Sequence, residues 1–247
     1  TKDYDKVSNL SNVGIIHTIS ITDASYLKSA LSYSANGFDD DLYEKKLIKH
    51  ENGEDGFSDD SVGNRVQTFK SRVTNSTYRV SLIYNNRINT KHKIQFGTKY
   101  TLENNIYNQD IYDFESNELV NATNFNNSVS TINNFVSWKF SINDKIELIS
   151  GLHNINVLLN RKSTLEPRIA IKWAIGRNSS VHAGFGKHSA IEKVHNYYTK
   201  VKQPDGTYTE PNKNLDLLMS NHYILGFDKL FTEYLRVKPR RATISDF

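Results

Sequence analysis

Residues 169–186 read IAIKWAIGRNSSVHAGFG and contain the clearest periodic pattern in the chain. Apolar side chains stand at every second position on both sides of a short polar segment, residues 176–180. These positions are Ile169, Ile171, Trp173, Ile175, Val181, Ala183 and Phe185, and small or polar residues separate them. Successive side chains of a strand point to opposite faces, so the pattern predicts a β-hairpin with one apolar and one polar face.

The same alternation recurs along the chain. It is clear over residues 78–84, 94–102 and 132–140, and weaker over 13–21, 27–35, 146–159, 223–227 and 235–237. The chain therefore predicts an all-β fold, an antiparallel up-and-down meander of about ten strands. Several of these strands approach the roughly 9–11 residues of a tilted membrane-spanning strand.

The connections between predicted strands alternate in length. Short turns are expected at 22–25, 86–91, 141–145, 176–180 and 228–233, and long polar loops at 37–77, 104–130 and 187–220, with a modest one at 160–166. A meander places all the short turns at one end, as in an outer-membrane β-barrel. Aromatic residues near strand ends predict the girdles of such a barrel, although strand propensity alone could also place them there. They are Tyr26, Tyr84, Tyr100, Phe140, Tyr223, Phe227, Phe231 and Tyr234.

Composition excludes several classes of protein. The 247 residues contain 31 Lys and Arg against 27 Asp and Glu, with a net charge of +4 and a mean hydropathy of −0.58. No apolar run reaches the length of a membrane helix. The absence of Cys excludes disulfides, Cys-ligated zinc and a thiol nucleophile. The weak, dispersed charge argues against nucleic acid as a partner. Low hydropathy suits a soluble β protein, but it also suits a membrane barrel, where only alternate strand residues meet lipid.

A family resemblance follows from the C-terminal part of the chain. Residues 166–173, EPRIAIKW, resemble the "EPR-x-x-[LI]-x-W" strand of TonB-dependent outer-membrane receptors, most closely the Bacteroidetes type with a carboxypeptidase-regulatory-like N-terminal domain. The NKNLDL segment at 212–217 and the SNHYILGF segment at 220–227 are similar to later segments of that family. The detailed resemblance covers residues 145–238, whereas residues 1–144 match only in pattern and 239–247 form an atypical tail.

The resemblance implies a barrel of about 22 strands, plugged by an N-terminal domain, that imports a ligand using energy from the TonB complex. About ten strands then make residues 1–247 a partial barrel domain in which no plug domain is expected. Such a chain would not transport alone. Its implied partners are outer-membrane lipid, the TonB complex through the missing plug domain, and an unknown imported ligand. The implied location is the outer membrane, and ligand-binding residues remain unassigned because the matching motifs belong to the barrel framework.

No catalytic, metal-binding or cofactor-binding residues are assigned, and the chain is interpreted as not being an enzyme. His50 with Asp39, Asp40 and Asp41, and His188 with His195, would share rim loops, but without the spacing of a known active site. His182, His188 and His195 lack the spacing of a zinc helix. The acidic stretch from 39 to 60 is interpreted as a solvated loop, with a divalent-cation cluster as its alternative. It comprises Asp39, Asp40, Asp41, Glu44, Glu51, Glu54, Asp55, Asp59 and Asp60.

Two other architectures remain open from the sequence. A complete small outer-membrane barrel, acting as a pore, an adhesin or an enzyme, requires the first and last strands to pair. A soluble β-sandwich binding module requires Ile169, Ile171 and Trp173 to lie in a dry core.

Overall fold

The computed structural model describes residues 2–45, 47–49, 55–57, 65–113, 115–231 and 234–246. The long strands are β1 (Lys2–Thr22), β2 (Ser25–Lys45), β5 (Arg65–Arg87), β6 (His92–Asp113), β7 (Glu118–Ser141), β8 (Ile146–Val157), β9 (Ser163–Gly176), β10 (Ser179–Ala190) and β13 (Leu218–Leu230). The short strands are β3 (Leu47–Lys49), β4 (Asp55–Phe57), β11 (Val201–Lys202), β12 (Tyr208–Thr209), β14 (Arg236–Val237) and β15 (Arg240–Asp246). A single helical turn, α1 (Val194–Tyr197), and a 3-10 turn (Pro211–Asn214) interrupt them. In the described part of the chain, no helix is both long and apolar enough to cross a membrane.

The main sheet is an antiparallel meander in the order β1-β2-β5-β6-β7-β8-β9-β10-β13-β14, and β15 also pairs with β13. This confirms the predicted all-β fold of about ten strands. The atypical tail forms β15, which extends the pairing of β13 from Ser220 to Gly226, while β14 pairs with Lys229 and Leu230. The order has β1 at one end and β14 at the other, whereas a complete small barrel requires its first and last strands to pair.

The chain divides into two compact units. The first comprises Thr1–Val13, Tyr33–Tyr78 and Glu103–Ser128, and the second comprises Gly14–Ser32, Arg79–Leu102 and Val129–Phe247. In the first unit, much of the sequence predicted as long polar loops over 37–77 and 104–130 is strand, so that prediction is wrong there. Strand β2 continues to Lys45, β5 begins at Arg65, β6 continues to Asp113 and β7 begins at Glu118. Backbone pairing does not require an apolar face, and the apolar residues of these segments fall on both faces, so their sequence carries no alternation.

In the second unit, the short turns form a hydrogen-bonded row. The Arg87 N–H donates to the Ala24 carbonyl at 2.8 Å, and the Ser141 N–H donates to the Lys91 carbonyl at 2.8 Å. The Ala174 N–H donates in the same way to the Lys145 carbonyl at 2.8 Å. Each bond links the turn of one hairpin to the neighbouring strand. The prediction that the short turns share one end is therefore confirmed for these turns.

The apolar face of the second unit is open to the surroundings. Ile169, Ile171 and Trp173 are 50%, 42% and 52% exposed. Among the described residues, the buried apolar side chains are limited to Val129, Val157, Val194, Tyr197 and Leu217. A β-sandwich would bury the apolar face of β9 against a second sheet, so the sandwich interpretation is wrong.

Gly97 on β6 allows an aromatic ring to lie directly over the backbone. A Cβ atom at this position would lie 2.8 Å from the Leu82 carbonyl oxygen and 2.8 Å from the Phe135 ring. Neither neighbour can move freely, because one is backbone and the other is a ring stacked on His153 at a centroid distance of 5.3 Å. By contrast, a Cβ at Gly176 would meet no atom within 4 Å.

We expect Gly97→Ala to lower the free energy of unfolding by about 1–3 kcal/mol, because the added methyl overpacks this site. Gly176→Ala is the matched control and should be neutral or slightly stabilising. The measurement is urea unfolding in detergent micelles, followed by tryptophan fluorescence. Equal stabilities of the two variants would show that the ring does not pack against Gly97.

Candidate functional site

Strands β8, β9, β10 and β13, with Ser137 of β7, line a groove of about 220 Å³ in the second unit. Strand register explains how its residues meet, because cross-strand partners project from the same face. His153 is opposite Glu166, Arg168 is opposite Gly186, and Gly186 is opposite His222. We name this site the arginine–histidine groove, after the lining residues Arg168, His153, His188 and His222.

Small residues keep the groove open. Gly151, Gly184, Gly186 and Ala170 contribute to its lining. At Gly186, a Cβ atom would come within 3.0 Å of the His188 Nε2 and 3.5 Å of the Arg168 Cγ. A larger residue at this position would therefore crowd both basic side chains.

Glu166 is a buried carboxylate that holds Arg168 in place. It is 1% exposed, and its Oε2 accepts a hydrogen bond from the Arg168 Nη2 at 2.7 Å. Its Oε1 accepts from the Ser189 hydroxyl at 2.5 Å and from the Thr164 hydroxyl at 3.5 Å. A buried charge is costly unless it is paired and hydrogen-bonded, and Glu166 meets both conditions. The Arg168 side chain remains 34% exposed.

The three imidazoles have different surroundings. The rings of His188 and His222 are 4.3 Å apart between centroids, and the His222 Nε2 lies 3.1 Å from the Ser220 hydroxyl. His153 stacks on Phe135. The groove thus combines a guanidinium with three rings that can each donate a hydrogen bond.

The histidines considered from sequence do not converge. His188 lies beside His222, whereas His195 belongs to α1 and the ring of His182 lies over Gly226. His50 is outside the described residues. Across the residues that the structure describes, no three His, Cys, Asp or Glu side chains are arranged to hold a metal ion.

The described aspartates of the acidic stretch lie in the first unit and form ion pairs. The Arg72 guanidinium contacts Asp41 through Nη2 at 2.9 Å and Asp39 through Nε at 3.5 Å, and Lys6 lies 3.6 Å from Asp40. These contacts support ion-paired strands rather than a cation cluster. The structure does not describe the side chains of the other acidic residues, Glu51, Glu54, Asp55, Asp59 and Asp60.

A larger groove of about 540 Å³ lies near the short turns of the second unit. Three of its polar side chains are already bonded: the Gln95 amide donates to the Asn85 Oδ1 at 2.9 Å, and Lys139 pairs with Glu147 at 2.5 Å. Arg87 and Lys93 also line it.

Sequence reasoning missed the groove. Glu166 and Arg168 are two positions apart on one strand, so their shared face could have been inferred. His153 and His222 could not, because the registers of β8 with β9 and of β10 with β13 bring them to this face.

Neither a family model nor a curated protein sequence matches the chain. Solved structures are similar to it in fold. The copper transporter OprC has a TM-score of 0.67 at 11% identity, covering 95% of this chain and 38% of its own. A ferric enterobactin receptor (PfeA) mutant from Pseudomonas aeruginosa has a TM-score of 0.63 at 11% identity, covering 98% and 35%. The RagAB peptide importer in a closed-closed state has a TM-score of 0.63 at 11% identity, covering 97% and 30%. The chain thus spans about a third of the length of these structures.

We expect Arg168→Met to lower the free energy of unfolding by about 2–4 kcal/mol, because it leaves Glu166 buried without its cation. Arg177→Met, in the exposed β9–β10 turn, is the matched control and should have little effect. Adding Glu166→Gln to Arg168→Met should restore part of the loss, since the buried charge is then removed. Urea unfolding in detergent micelles measures all three, and equal losses at Arg168 and Arg177 would contradict the pairing.

Proposed function

We propose that this chain is part of the barrel of a TonB-dependent outer-membrane receptor that mediates energised uptake of a ligand. The observation that carries the proposal is the antiparallel meander whose apolar face is half-exposed, since lipid would cover such a face in an outer-membrane barrel. The polar face, with the arginine–histidine groove, would line the interior.

The fold likeness supports this proposal. The similar structures are named as a copper transporter, a ferric enterobactin receptor and a peptide importer, so their cargoes differ widely. The shared architecture is therefore compatible with uptake but does not identify the ligand. The sequence resemblance over residues 145–238 is the basis for proposing the Bacteroidetes type with a carboxypeptidase-regulatory-like N-terminal domain.

The proposal also covers partners and location. Because the chain spans 30–38% of the three structures above, we propose that residues 1–247 are a partial barrel, without a plug domain and not transport-competent alone. A plug domain outside these residues would contact the TonB complex. The proposed location is the outer membrane, with lipid around the apolar face. The proposed role is uptake, with no enzymatic reaction and no cofactor.

The lipid-facing assignment predicts an alternating labelling pattern along β9. The chain contains no Cys, so a single Cys at Ile169, Ile171 or Ile175 carries a unique fluorescent label. In micelles of brominated detergent, labels at these positions should be quenched strongly, because they contact the alkyl chains. Labels at the matched positions Ala170 and Ala174 should be quenched by aqueous iodide instead. Uniform quenching along β9 would refute the assignment.

The partial-barrel assignment predicts the behaviour of the chain on denaturing gels. Closed outer-membrane barrels have no free strand edges, whereas the sheet order here ends at β1 and β14. We therefore expect no band that shifts on heating when the refolded chain is run with and without boiling. A heat-shifted band would favour a complete small barrel instead.

A further inference from the structure

The arginine–histidine groove has an excess of hydrogen-bond donors. Its described lining contains Arg168 and three His residues but no Asp or Glu. The nearest carboxylate, Glu166, already accepts bonds from Arg168, Ser189 and Thr164. Because the described lining carries a guanidinium and no carboxylate, the groove suits a ligand that brings its own negatively charged acceptor.

We propose that this groove binds a small carboxylate-bearing molecule. The inference rests on the proposed function, since it gives the ligand chemistry of the face that would line the barrel interior. Glu166 holds the Arg168 guanidinium through Nη2, and the Arg168 side chain remains 34% exposed. The guanidinium is therefore oriented but not saturated. Its planar fork matches a carboxylate, and the imidazoles of His188 on β10 and His222 on β13 add donors.

Volume and apolar lining favour a short carbon chain. The groove of about 220 Å³ corresponds to roughly seven water volumes, which admits a molecule of a few carbon atoms. Ile149 and Ile224 contribute to the wall on the polar face, opposite Ala170 and Gly184 respectively. These side chains can cover methylene groups while Arg168 binds the acid. Inorganic phosphate would make no use of them.

The test is equilibrium dialysis of radiolabelled succinate against the full chain in detergent micelles. We expect saturable binding that Arg168→Gln weakens by roughly tenfold or more, because a charge-assisted hydrogen bond is lost. Arg177→Gln is the matched control and should bind like the unmodified chain. Absence of saturable binding in the folded unmodified chain, or equal weakening by both Arg variants, would overturn the proposal.

A second variant covers the possibility that Arg168→Gln does not fold. Replacing His188 and His222 together by Asn retains the Glu166–Arg168 pair but removes two ring donors, so succinate should bind several-fold more weakly. Binding unchanged by this replacement would overturn the role of the imidazoles. Competition with inorganic phosphate tests the ligand class, and phosphate that displaces succinate at equal concentration would exclude carboxylate selectivity.

The outcome is separable from that of the proposed function. Dialysis in micelles needs neither lipid-facing strands nor transport, so succinate binding and the β9 labelling pattern can succeed or fail independently. If the labelling pattern is lost while succinate still binds, the receptor-barrel proposal is rejected and the proposal of a carboxylate-binding groove is retained.

Discussion

Backbone hydrogen bonding is the constraint on which this structure depends. A sheet with an apolar face towards hydrocarbon has no water to satisfy its N–H and C=O groups, and each unsatisfied group there costs several kcal/mol. The meander meets this demand by pairing each long strand with its neighbours in the sheet. Hydrogen bonds from the turns to the neighbouring strands extend the pairing to the short-turn end. The backbone N–H and C=O groups that still need partners are those on the outer edges of β1 and of β14 and β15. In a larger barrel, further strands would pair with those edges, which is why the proposed role assigns this chain to part of one.

The same constraint gives the two faces of the sheet different packing requirements. Lipid would accept almost any apolar side chain, so Ile169, Ile171 and Trp173 need no partner of matching shape. The opposite face must satisfy polar groups individually, and Glu166 shows how closely this is done, with three donors around one buried carboxylate. Specific chemistry therefore accumulates on the polar face. The arginine–histidine groove lies where four such strands are adjacent and glycines leave room between the basic side chains.

The sequence alone predicted the strands and turns whose positions follow from an alternating apolar face. Alternation over residues 169–186 located β9, β10 and the turn between them, and the spacing of short turns predicted the row that the hydrogen bonds form. It failed where apolar residues fall on both faces, as with Ile106 and Ile111 in the extension of β6 to Asp113 and at the start of β7, because periodicity needs a contrast between faces. Composition alone suggested a soluble protein for a related reason: the half-exposed apolar residues are too few to raise mean hydropathy.

The histidines show most clearly which contacts cannot be predicted from sequence spacing. His182, His188 and His195 are close in sequence, yet His188 is adjacent to His222 and stands across the groove from His153. Spacing along the chain carries no information about contacts between β8 and β13, because two intervening strands determine which positions share a face and a height. A one-residue change in any of those registers would move every polar side chain of that strand to the other face. Local motifs of a barrel therefore identify its framework, whereas its binding chemistry is determined by strand register, and the ligand must be inferred from the assembled face.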